Sequence, residues 1–240
     1  MKHLIICLFL FPFPALAQQK GMVWDYPIKP GMEKWQKFES VDEMYQACQI
    51  PDNVLKQLST ESLVDICLNF PAPPLFALFN YPQQAFIDFY SNFNGIRELF
   101  QRKDAGLYLS KRYASMSLSD FNPLWQLHRQ SLFISHYKFV EAILSQPQVI
   151  ASLDVKSRKA LLKEATHKMD EKFSRNDLFS GFSIGFNLWV IGNLLYSENR
   201  SSLASLNQEI LQTALKTGTF AGIEVDLLYN QAKKYAYENE

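Results

Sequence analysis

The sequence predicts an all-α fold, a multi-helix bundle or an irregular helical-repeat-like stack of about 8–10 helices. Three observations carry that expectation. Apolar residues recur at helical spacing in one segment after another, serine, aspartate and proline signals punctuate those segments, and no convincing run alternates apolar with polar residues as a half-buried strand does. Thr219 to Leu228 is the one stretch that reads as briefly extended.

The composition, 48% hydrophobic and 20% charged, is that of a chain with enough apolar surface to offset the entropy of folding. Nine glycines and eleven prolines exclude collagen-like and low-complexity classes. The 24 basic residues balance the 24 acidic ones, so no basic surplus points to nucleic acid.

Lys2 and His3 precede an apolar run from Leu4 to Phe11, and Ala15-Leu16-Ala17 follows. This is the pattern of a secretory signal peptide cut after Ala17. The run is well short of the roughly 20 apolar residues that span a bilayer, and no later stretch is long enough, so the mature chain is expected to be exported, to periplasm or exterior, without a transmembrane segment. Residues 1–17 carry one lysine and no acid, which leaves the mature chain at a net charge of −1. Its two cysteines, Cys48 and Cys67, form a candidate disulfide in an oxidising compartment, with two buried thiols as the alternative.

Residues 18–38, with Trp24 and Trp35, read as an extended lead-in docked by aromatic side chains, and 39–240 as one all-α domain. Ser40 and Glu43 have capping-box spacing and open a helix that runs to about Cys48, before Pro51. Ser59 opens the next, which Pro71 ends. Short helices are expected over 82–91, 93–102 and 104–115. Asn122-Pro123 looks like a cap followed by proline at the first helical position, starting a long helix to Gln146. On it Trp125, Leu132, Phe133, His136, Tyr137, Phe139, Val140, Ile143 and Leu144 share one broad face, with His136 read as a satisfied core residue and His128 at the edge. A further amphipathic helix covers 154–174. Residues 177–196 are apolar all round and belong at the centre, with Gly181, Gly185 and Gly192 forming a groove for a neighbouring helix. Helices over 200–216 and 223–237 complete the domain.

Several strings suggest chemistry. Gly181-Phe182-Ser183-Ile184-Gly185 matches the nucleophile elbow G-x-S-x-G, but the charged segment before it is no buried strand and no histidine follows it. Ser135-x-x-Lys138, Ser197-Glu198-Asn199 and Lys216-Thr217-Gly218 stand in the order of penicillin-interacting serine enzymes, without a sheet to hold the last. Glu164-x-x-His167 with Glu171 is half of a di-iron helix pair and reads more simply as a surface salt bridge. Ser180, Ser183 and Asn187 make a polar line on the apolar helix, either bonded within the protein or lining a pocket. Asn199-Arg200-Ser201 is a glycosylation sequon in a host that uses one. No catalytic, cofactor-binding or metal-ligating residue is assigned, and no cofactor is implied.

Tyr26-Pro27-Ile28-Lys29-Pro30-Gly31, Trp35, Ala47-Cys48-Gln49-Ile50-Pro51, Leu58-Ser59-Thr60-Glu61 and Cys67-Leu68-Asn69-Phe70-Pro71 together resemble an uncharacterised family of exported helical proteins from anaerobic Gram-negative bacteria. Asn92-Phe93-Asn94-Gly95-Ile96-Arg97-Glu98-Leu99 looks like a second shared block. The resemblance covers mainly residues 26–103 and implies export and helical class, with no activity attached. The leading expectation is a non-enzymatic exported domain that binds an extracytoplasmic protein or surface component. The alternatives are a serine acyl-transfer enzyme built on Ser135 and Lys138, or a purely structural domain.

Overall fold

A computed structural model describes residues 24–71 and 79–237. The expected signal peptide and the start of the lead-in lie outside the described residues. Among the described residues the chain forms thirteen α-helices, two short 3-10 turns and no strand. In order they are α1 (Glu33–Gln36), α2 (Val41–Ala47), α3 (Asp52–Leu55), α4 (Thr60–Leu68), α5 (Pro82–Asn92), α6 (Asn94–Leu99), α7 (Ala105–Ala114), α8 (Leu127–Leu144), α9 (Pro147–Ala151), α10 (Val155–Ser174), α11 (Gly181–Glu198), α12 (Gln208–Thr217) and α13 (Val225–Tyr237). The number exceeds the expected 8–10 because α1, α3 and α9 are single turns, too short to show an apolar period. Among the described residues no helix is long and apolar enough to cross a membrane.

Local capping explains most of the boundaries. The Ser40, Ser59 and Asp154 side chains accept the backbone N–H groups of Glu43, Ser62 and Ser157, which satisfies donors that a helix start leaves orphaned. Glu43 does not close the capping box on Ser40 itself; its carboxylate accepts the Glu39 N–H at 3.0 Å. The long helix begins at Leu127, later than Asn122-Pro123 predicts. Asn122 instead caps a turn by accepting the Leu124 N–H, and the Gln130 side-chain amide donates to the Trp125 and Pro123 carbonyls, holding them outside the helix. The stretch expected to be helical over 200–216 is split into a 3-10 turn and α12, because Asn207 caps the Glu209 and Ile210 N–H groups. The segment after Thr219 is a turn through Gly222 at φ 78, not a strand.

Two sequence blocks are clasped together in the N-terminal half. The Gln49 side-chain amide donates to the Tyr45 and Asn92 carbonyls, and its oxygen accepts the Asn94 N–H. Asn94 answers by accepting the Ile50 N–H at 3.0 Å and donating to the Ile50 carbonyl at 2.7 Å. This places α2 beside the α5–α6 junction, over a cluster of Tyr26, Tyr45, Phe70, Phe89 and Phe93 whose rings meet at centroid distances of 4.7–6.5 Å. Tyr26 is buried there and donates its hydroxyl to the Ile66 carbonyl, so the lead-in is part of the core. Cys48 and Cys67 are both buried in this region as free thiols, so the structure contains the pair without the expected bridge. Burial pushes the Cys48 thiol up to about 11 and raises Cys67 as well, which keeps both protonated and unreactive.

The C-terminal half is organised around α11, which packs against α8, α10, α12 and α13 as its all-round apolar sequence requires. Its glycines do not form one packing groove. A Cβ on Gly192 would lie 2.8 Å from a Leu215 methyl and 3.3 Å from the Phe220 ring, whereas a Cβ on Gly181 or Gly185 would meet open space. α8 also departs from the simple amphipathic picture. Leu132 is 55% exposed, while from Phe139 to Leu144 every residue is buried, including Glu141.

Glu141 and Lys172 form a salt bridge of 2.5 Å with neither side chain more than 1% exposed. The Tyr113 hydroxyl donates to the same carboxylate oxygen at 2.8 Å, and the Asn187 amide donates to that hydroxyl at 3.2 Å and to the Ala165 carbonyl at 3.1 Å. The polar line on α11 therefore ends in a buried network and not in a ligand pocket. Burial raises the Glu141 pKa and lowers that of Lys172, and their mutual attraction opposes both shifts. Removing one partner strands the other, so Glu141→Gln and Lys172→Met are each expected to cost about 3–5 kcal/mol. The double variant Glu141→Gln, Lys172→Met should cost less than the sum of the two single changes; urea denaturation showing additive losses would contradict the coupling. At the glycines, Gly185→Ala should stabilise the protein by about 0.5–1 kcal/mol and Gly192→Ala destabilise it by about 1–3 kcal/mol. Equal effects in the same urea series would refute the different surroundings described for the two.

Candidate functional site

A cleft of about 550 Å³ opens where the chain passes from α7 to α8. The C-terminal turn of α7 supplies Arg112, and the connection supplies Ser115, Ser117, Asp120 and Trp125. The first half of α8 supplies Arg129, Phe133, His136 and Tyr137, and Asn69 at the end of α4 completes the wall. This half of α8 projects beyond the packed core, which leaves side chains at its helical spacing facing a space instead of a neighbouring helix.

An aromatic chain forms one wall and leads inward. Phe121, Trp125 and Phe133 lie in mutual contact at 5.6–5.9 Å, Phe133 meets Tyr137 at 5.4 Å, and Tyr137 meets Phe179 edge-on at 5.9 Å. The Lys172 ammonium sits 5.7 Å from the Tyr137 ring and 5.4 Å from Phe179, so the floor of the cleft is the roof of the buried ion pair. Tyr137 is 1% exposed, and neither its hydroxyl nor His136 Nε2 has a hydrogen-bond partner among the described residues. A buried polar atom left unsatisfied costs free energy, and Glu141 Oε2, Glu171 Oε2 and Asn187 Oδ1 also lack partners among the described residues. Burial, with Glu171, Glu141 and Asp120 nearby, raises the Tyr137 pKa, and the phenol stays protonated. His136 is therefore not the satisfied core residue expected from its place on the helix.

At the mouth the charges are arranged differently. The Arg112 guanidinium is shared between Asp65, 3.3 Å from Nε, and the Ser115 hydroxyl, 3.1 Å from Nη1. Arg129 is exposed, stacks with Cζ 4.3 Å from the Trp125 ring centroid, and has no carboxylate partner among the described residues. Sequence reasoning passed over Arg112, Asp120 and Arg129. The signal available was the four-residue spacing of Trp125 and Arg129, which places an arginine over an aromatic face.

The other candidate sets are dispersed. Ser197 and Lys216 line a separate cavity of about 510 Å³ beside α9, α11 and α12, but Ser135 and Lys138 do not reach it. The Lys138 ammonium lies 5.3 Å from the Phe182 ring, and no hydrogen bond joins it to Ser135. Burial lowers the Lys138 pKa. Lys216-Thr217-Gly218 is a helix end: Gly218 has φ 77 and backs onto Trp189, where a Cβ would lie 2.9 Å from the indole. Gly181 to Gly185 is the first turn of α11, without the strand that exposes a nucleophile. Gly181 and Gly185 border an apolar groove of about 610 Å³ with Phe173, Phe182 and Leu188. His167 is exposed, 3.8 Å from Glu171, and Glu164 pairs with Lys168 at 3.0 Å. Among the described residues no three His, Cys, Asp or Glu side chains are grouped to hold a metal ion.

The His136 pKa is lowered, first by burial and then by the Arg112 charge. An unfolded histidine titrates near 6.5, so protonation favours the unfolded chain. Stability should fall as pH drops below about 6.5 and level off once pH passes below the depressed folded value. His136→Gln should flatten that slope relative to wild type in urea midpoints measured from about pH 7.5 to 5; identical slopes would contradict the assignment.

Compared with protein-family models, with curated proteins and with solved structures, the chain matches none.

Proposed function

We propose that this chain is an exported, non-enzymatic binding domain whose ligand occupies the cleft between α7 and α8, and that the ligand is part of an extracytoplasmic protein or surface component. The observation that carries the reading is the meeting, in one open cleft, of an aromatic wall with two arginines, of which Arg129 has no carboxylate partner among the described residues. Leu132, 55% exposed, lines the same cleft, and Leu124 and Leu127, at 89% and 80% exposed, stand within two residues of Trp125 in the chain and add the apolar surface that a larger partner covers. Export rests on the Lys2-His3, Leu4 to Phe11 and Ala15-Leu16-Ala17 pattern. The separation of Ser135 and Lys138 from Ser197 and Lys216 disfavours the serine acyl-transfer alternative.

The test is a fragment screen on the isotopically labelled mature chain, followed by NMR. Bound fragments should shift the Trp125 indole and Arg129 resonances above all others, and Ser115→Trp, which fills the cleft, should abolish those shifts while leaving the fold intact. Hits confined to the apolar groove of Phe173 and Phe182, or undiminished in Ser115→Trp, would overturn the assignment. A fluorescent penicillin should leave the protein unlabelled; covalent labelling lost in Ser135→Ala would establish the enzyme instead.

A further inference from the structure

We infer that the cleft between α7 and α8 selects a carboxylate-bearing, polyhydroxylated ligand of sugar size, as a uronic acid is; this rests on the proposed function above. The anion would lie between Arg129 and Arg112. Arg129 is stacked on Trp125, which restrains its guanidinium, and it pairs with no carboxylate among the described residues. An arginine fork held in place presents two parallel donors in the geometry a carboxylate accepts, and it loses little side-chain freedom on binding. Arg112 is anchored by Asp65 through Nε and by Ser115 through Nη1, which leaves Nη2 as a second donor in the same cleft.

The remaining polar groups ask for hydroxyls. Asp120 lines the cleft, and among the described residues no side-chain hydrogen bond or salt bridge occupies its carboxylate. A simple inorganic anion would be repelled by it, whereas a ligand that pairs one carboxylate with several O–H donors satisfies both signs of charge. Tyr137 and His136 close the cleft from below, with the Tyr137 hydroxyl and His136 Nε2 buried beneath its surface. The cleft, about 550 Å³, exceeds what a small aliphatic acid fills and is within the range of small-molecule sites. Its aromatic wall, Trp125 and Phe133, offers the apolar surface that a sugar ring covers. A free monosaccharide and the end of an acidic surface polysaccharide share this chemistry.

The experiment is calorimetric titration of the mature protein with D-glucuronate, an oligogalacturonate, D-glucose and inorganic phosphate. Glucuronate or the oligogalacturonate should bind, glucose and phosphate should bind at least about tenfold more weakly, and affinity should fall as salt is raised. Arg129 is exposed and outside the core, so Arg129→Met should fold normally and lose about tenfold or more in affinity for the acidic ligand. Arg129→Lys, which keeps the charge without the fork, should recover only part of it. Tighter binding of the oligogalacturonate than of glucuronate assigns the ligand to a polymer, and the reverse to a free sugar. Equal binding of glucose, or an acidic ligand indifferent to Arg129→Met, would overturn the anion selectivity while leaving a binding cleft in place. Failure of both acidic probes to bind would overturn the inference outright, and fragments that still cluster at Trp125 would then show that the cleft binds something else.

Discussion

At the centre of the C-terminal half a lysine from α10 and a glutamate from α8 meet out of reach of water, and the helices around them are arranged to make that tolerable. Glu141 and Lys172 would each cost several kcal/mol if buried alone. Tyr113 from α7 bonds the same carboxylate oxygen, Asn187 from α11 bonds Tyr113, and the rings of Tyr137 and Phe179 flank the ammonium. Four helices thus share one polar knot. A helix rotated or slid by one residue would leave an unpaired charge, so the pair favours a single register more strongly than interchangeable apolar contacts do.

The cleft inherits its position from that knot. The second half of α8 is committed to the core on all sides, and its first half extends past the helices that would have covered it. The same helix therefore carries buried residues at one end and Leu127, Arg129 and Leu132 in solvent at the other. Tyr137 marks the change, with its ring against the buried ammonium and its edge in the floor of the cleft.

The N-terminal half is held by a different device. The reciprocal bonds of Gln49 and Asn94 join two segments separated by about 45 positions in the chain. Gly95 fits the same junction closely, since a Cβ there would meet Phe93 at 2.4 Å and Ile50 at 2.9 Å.

The helical class and most helix ends could be read from the sequence because their causes are local. A cap such as Ser40, Ser59 or Asp154 bonds an N–H three residues away, and a proline acts on its own turn. Where the reading failed, a second contact competed: Gln130 holds back the start of α8, and Asn207 divides the stretch before α12. The burial of Glu141, the different roles of Gly185 and Gly192, the open thiols of Cys48 and Cys67, and the cleft itself were decided only by tertiary structure. Each depends on which residue arrives from elsewhere: Asn187 meets Tyr113 across 74 positions, and Gly192 meets Leu215 from a different helix. Helical periodicity says that a face will be covered, but a one-dimensional pattern holds no distance between segments. Whether a polar side chain on that face finds a partner, a charge or an empty space is therefore fixed only when the helices pack.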